Sequence, residues 1–206
     1  MSEVVAAGTR PALGPAPEAR TGSHLVVGTL LVVTAGVMLF GGLLAVYFGA
    51  RAAAQAAGEA WPPDDVDLPN VALAVGYLTL LMSSVTAQWS VSAIKVDDRR
   101  SMYVAIGLTL LLGLAFVNAM SFVWGRLGLA AGGSDYATTV YAVTVTHLLA
   151  VVAAELLFVV MGFRALGGQL SPKDTALVTA ATAFWHFTAG VGAVIWWSLW
   201  FLEGGP

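Results

Sequence analysis

Three ionisable side chains stand inside long apolar stretches of this sequence: His147, Glu155 and His186. An imidazole or a carboxyl is costly to hold in hydrocarbon, so each is a candidate for proton exchange, ligation or a buried hydrogen bond. Glu155 and His186 fall at nearly one depth, roughly 24–26 Å below the outer ends of their segments at 1.5 Å per residue. That match predicts a Glu155–His186 pair across two adjacent helices, in which loss of His186 would move the infrared band of the Glu155 carboxyl. The alternative is that each is satisfied locally, or that Glu155 faces a neighbouring subunit. His147 precedes Glu155 by eight residues, roughly 12 Å along a helix, so the two share no ligand. A metal site needs three or four converging donors, and two histidines with one carboxylate do not supply them. Two histidines on adjacent helices leave a haem as an alternative that visible absorption of the isolated chain would reveal. No glycine-rich phosphate loop, serine–histidine–acid constellation or paired catalytic carboxylate is present. The residues therefore give no reaction: no catalytic site, no metal and no cofactor of the chain's own.

The elements that must position these groups follow from composition. Of 206 residues 58% are hydrophobic and only 10% charged, and the mean hydropathy is +0.83. Soluble domains carry roughly 25% charged residues, so lipid must solvate much of this surface. A net charge of −3 argues against nucleic acid as a partner. The absence of cysteine removes disulfides, thiolate metal sites and iron–sulfur clusters. Five apolar segments, near 25–50, 71–94, 102–124, 138–163 and 175–202, each exceed the roughly 20 residues needed to cross a bilayer. None alternates with period two, so barrel strands are excluded. The fold class is all-α: an integral membrane bundle of five transmembrane helices over 24–206. Residues 1–23, with Pro11, Pro15 and Pro17, read as a disordered tail, and the first apolar segment reads as a retained span rather than a signal peptide.

The short connections hold nearly all the charge. Arg10, Arg20, Lys95, Arg99, Arg100, Arg164 and Lys173 lie on one side, against Arg51 and Arg126 on the other. That asymmetry places the N-terminus in the cytoplasm and the C-terminus outside. Five of the seven tryptophans (Trp61, Trp124, Trp196, Trp197, Trp200) fall near span ends, where an indole favours the headgroup layer. Trp89 and Trp185 lie deeper and are expected to pack between helices. Asn118, Ser83, Ser84 and Thr86 are candidates for interhelical hydrogen bonds.

The ordered motifs resemble subunit III of haem-copper cytochrome c oxidases, in register over about 175 residues from Gly28 to Leu202. Val37-Met38-Leu39-Phe40 and Gly42 resemble that family's third helix, and Trp61-Pro62-Pro63 its external loop. Ser83, Val85, Trp89, Asp98-Arg99-Arg100 and Met102 resemble the fourth helix and the loop after it. Leu112-Gly113 and Phe116 fit the next helix. Tyr136, Thr144, His147, Leu149, Val151 and Phe163-Arg164 fit the sixth, and Trp185-His186-Phe187 the last. The family commonly has seven helices, and this chain is similar to a shorter, actinobacterial-like form lacking the first two.

The resemblance implies a non-catalytic subunit of a respiratory terminal oxidase in the bacterial cell membrane. Its partners would be subunit I, which carries haem and copper, reduces oxygen and pumps protons, together with subunit II and small subunits. It implies bound phospholipid and support of proton uptake. On physical grounds the candidates for lipid or subunit contact are Trp61, Arg99, Arg100 and Trp185, with His186 also a lipid candidate. The departures are Gly36, Val123 and Ala189, where the family carries acids, and Ala150, where it carries a histidine, while Glu155 replaces a small residue. Any role tied to those acids is not carried over. A subunit III-like accessory protein of a nitric oxide reductase is the alternative, and a small membrane transporter a further one. A transporter, however, should show broken helices or grouped polar residues at the midplane.

Overall fold

The computed structural model describes residues 21–173 and 175–203, with side chains from His24 onward. All but the last three residues of the expected tail lie outside the described residues, as do Asp174 and residues 204–206. Five helices follow one another: α1 (Thr21–Ala56), α2 (Asn70–Lys95), α3 (Arg99–Leu127), α4 (Asp135–Leu166) and α5 (Ala176–Trp196). A π-helical turn, Trp197–Phe201, continues α5. All five are long and apolar enough to cross a membrane, and the described residues contain no strand.

Local chemistry sets the ends. The Asp98 side chain accepts from the Ser101 N–H at 3.1 Å and starts α3, while Ser134 does the same for α4 through Ala137. Each cap satisfies a backbone donor that a first helical turn leaves free. α3 stops at Gly128, whose φ of 61° suits glycine in the left-handed region. Pro69 precedes α2, where its missing N–H costs nothing.

α5 is the middle of the bundle and contacts α1, α2 and α4, while α2 lies along α3 and α3 leads on to α4. Half of the most apolar window of α5 is buried, against 6% in α1. α1 is therefore peripheral, with Leu31, Val37, Met38 and Val46 projecting outward. The core is aromatic and tight, with Trp185, Trp200, Tyr47, Tyr136, Phe116 and Phe158 all fully enclosed.

Candidate functional site

α4 and α5 carry the three candidate groups, and the structure treats them differently. His147 is buried, and its Nε2 lies 2.9 Å from the Thr188 carbonyl of α5. A carbonyl only accepts, so Nε2 is the protonated nitrogen and donates. Tyr77 stacks on the ring, and Phe40 and Phe116 meet it edge-on. Gly192 opens the slot for it: a Cβ there would stand 3.0 Å from His147 Cε1. The imidazole fastens α4 to α5.

The expected Glu155–His186 pair is not formed. Trp185 takes the inward slot on α5, enclosed completely, with its Nε1 donating to Ser83 Oγ of α2 at 2.8 Å. The next residue is turned by about 100° on a helix. His186 is accordingly exposed rather than buried, and its Nε2 meets Gln88 Oε1 at 3.1 Å. Glu155 instead points to α3, where its carboxyl fills the notch left by Gly113 beside the tip of Trp185. It is half-buried, and its Oε1 has no hydrogen-bond partner.

The contact candidates divide too. Trp185 is enclosed by its own chain and leaves no surface for lipid or a subunit, whereas Trp89, expected between helices, is 40% exposed. Trp61, in the loop between α1 and α2, is half-buried, donating to the Tyr47 hydroxyl at 3.1 Å and packing edge-on against Tyr136. Trp200 is enclosed against Tyr77 rather than free for the headgroup layer. Arg99 and Arg100 are exposed at the start of α3, Arg99 within 3.7 Å of Asp97.

Several participants were not singled out from sequence. Gln88 is the partner of His186, and its signal was a lone amide in an apolar span. The Arg51–Glu203 ion pair, at 2.6 Å, joins the last turns of α1 to the C-terminal turn. Burial raises the Glu203 carboxyl above its ordinary value, with Arg51 opposing. An apolar cleft of about 520 Å³ lies between α1, α4 and α5, lined by Leu25, Gly28, Val32, Leu157 and Phe184.

Among the positions that depart from the resembled family, the space beside Gly36 is filled by the Phe187 ring. Val123 and Ala189 are packed in the core. The histidines hold separate partners and do not converge, so this donor set does not fit a haem, and no step runs through one. Among the described residues no three His, Asp or Glu side chains are grouped so that they could hold a metal ion.

A family model described as cytochrome c oxidase subunit III matches residues 16–203. The probable cytochrome c oxidase subunit 3 of Nocardia farcinica is 33% identical over 165 residues, 78% of this chain and 79% of that protein. The similarly named protein of Mycobacterium tuberculosis (strain ATCC 25618 / H37Rv) is 30% identical over 183 residues, 86% of this chain and 87% of its own length. Cytochrome c oxidase subunit 3 of Corynebacterium diphtheriae is 28% identical over 180 residues, with 86% and 87% covered.

Proposed function

The chain belongs to the cytochrome c oxidase subunit III family and is a subunit III of a terminal oxidase; we propose that it acts there by packing, without chemistry of its own. The observation that carries this reading is the use made of the interior polar groups. Trp185 with Ser83, His147 with Thr188, and Thr86 with Thr109 each bond one helix to another. These contacts fix the helix arrangement rather than present groups to a substrate.

Haem and copper then belong to partner subunits, chiefly subunit I, which this chain flanks and stabilises together with subunit II and the small subunits. The cleft between α1, α4 and α5 has apolar walls suited to an acyl chain. The exposed Arg99 and Arg100 would meet phospholipid headgroups at the inner face. Support of proton uptake is carried by family analogy. With Gly36, Val123 and Ala189 in place of acids, this chain exerts it through subunit packing and not through those positions. The lysine and arginine asymmetry supports a cytoplasmic N-terminus in a bacterial cell membrane.

Mild-detergent purification through a tag on this chain, followed by a reduced-minus-oxidised spectrum and peptide identification, tests the reading. A haem-copper subunit I is expected to come along, and turnover on oxygen rather than nitric oxide identifies the complex. A colourless lone chain, under conditions that preserve complexes, would sink it. An Arg99→Ala/Arg100→Ala variant with full lipid content and turnover would remove the inner-face lipid role alone.

A further inference from the structure

α3 and α4 run antiparallel in one register. The Tyr103 hydroxyl donates to the Ala165 carbonyl at 3.1 Å, Ile106 meets Gly162, Gly113 meets Glu155, and Trp124 Nε1 donates to Thr144 Oγ1 at 3.2 Å. Glu155 therefore sits level with Gly113, the midpoint of α3 (Arg99–Leu127), about 21 Å from either end at 1.5 Å per residue. Asn118 stands five residues further along α3, about 7.5 Å toward the outer side. Both levels fall inside a hydrocarbon layer about 30 Å thick.

At about 100° per residue Asn118 shares the outward rim of α3 bordering α4 with Leu114 and Ser121, all three exposed. Across the groove Glu155 is flanked by the exposed Val152 and Val159. The Ser121 hydroxyl is satisfied by the Val117 carbonyl at 2.9 Å. The Asn118 side chain, by contrast, makes no hydrogen bond within the described residues. Glu155 Oε1 is shut into the Gly113 notch without a partner, and the carboxyl's other oxygen, which is not so enclosed, is the one that borders the groove. An otherwise apolar face thus presents an amide and a carboxyl at mid-membrane depth. Acyl chains offer neither donor nor acceptor, and headgroups lie too far away to bond them.

We propose that the α3–α4 rim is a docking face for a transmembrane helix of another oxidase subunit, anchored by hydrogen bonds to Asn118 and Glu155. The spacing of the two groups asks for hydrogen-bonding side chains four or five residues apart on that helix. The proposal rests on the chain's place in an oxidase complex, and its test separates the two. A photoreactive amino acid replaces Leu114 in the tagged chain, and the whole complex is irradiated in its native membrane before purification. A cross-link to a transmembrane peptide of a different subunit is the expected result. The Asn118→Leu/Glu155→Leu variant should lose co-purifying haem protein about tenfold, while the isolated variant keeps its melting temperature and Glu155→Gln keeps the complex. Lipid adducts alone at position 114, a cross-link only to a second copy of this chain, or full complex retention by the double leucine variant would each overturn the docking face and leave the family reading intact. An unaltered chain that brings no haem protein with it overturns both.

Discussion

Trp185 and Trp89 lie on adjacent helices of one bundle, yet they belong to two different surfaces. Trp185 is closed in on every side, donating to Ser83, edge-on to Phe158 and touching the Gly113 notch. Trp89 stands on the outer face of α2, in a stripe with Val75, Met82 and Val85. The same division runs through the molecule: an interior of interlocked rings and cross-helix hydrogen bonds, and a rim of open apolar side chains. In lipid, apolar surface gains little by turning inward, so helices are held by close fit and hydrogen bonds instead. Interior residues are thus tightly specified by their neighbours, while an exposed valine or leucine is as well solvated by lipid as by protein.

The largest expected contrast tests that division directly. Trp185→Ala should cost roughly 3–5 kcal/mol, the range for emptying a large aromatic site in a packed core. Trp89→Ala should stay within about 1 kcal/mol, as substitutions away from packed features do. Thermal unfolding of the isolated chain in one detergent compares the two. Equal losses would mean that Trp89 is packed and that the division is drawn in the wrong place.

Glycines sharpen the same contrast. A Cβ on Gly113 would stand 2.6 Å from the Trp185 ring and collide with the Glu155 carboxyl. The carboxyl can swing away, but the indole is held by Ser83. Gly113→Ala should therefore cost roughly 1–3 kcal/mol, as overpacking does. Gly107 on the same helix has nothing within 4 Å of its would-be Cβ. Gly107→Ala should be neutral or slightly stabilising, since alanine is the better helix former. Combining Gly113→Ala with Glu155→Ala tells the two clashes apart, because recovery of stability would assign the cost to the carboxyl.

The sequence made some of this legible and hid the rest for identifiable reasons. Unbroken apolar length identified five membrane-crossing helices, since a bilayer imposes that length on any spanning helix. His147 and Glu155 were found because an ionisable residue is conspicuous in an apolar run. Their partners were not found, because depth along a helix says nothing about direction around it. Glu155 and His186 match in depth, yet Trp185 claims the inward slot and turns His186 toward Gln88. For the same reason Trp89 and Trp185 looked alike until their faces were fixed. The notches at Gly113 and Gly192 and the Arg51–Glu203 tie depend on residues far apart in sequence, and no local pattern announces them.

The smallest effect lies outside the hydrocarbon, where water returns and the terms change. The exposed Asp98 carboxylate caps α3, and its hydrogen bonds to Ser101 hold its pKa below the ordinary aspartate value. A carboxyl with a lowered folded pKa adds stability that is fully present above its unfolded pKa, about 4. That contribution fades as pH falls through the folded value. Asp98→Ala should therefore loosen the first turn of α3 by a constant, small amount at neutral pH, with the difference from the parent chain shrinking in strong acid to what a neutral acceptor contributes. Asp98→Asn keeps an acceptor at the cap but cannot titrate, so its first turn should respond less to acid than the parent's. Amide exchange of Arg100 to Tyr103, followed against pH in detergent, reads this without disturbing the core. Equal acid responses in the asparagine variant and the parent would assign the titration to another group. A large effect on global unfolding would mean that this water-facing turn is coupled to the interior, which its exposure argues against.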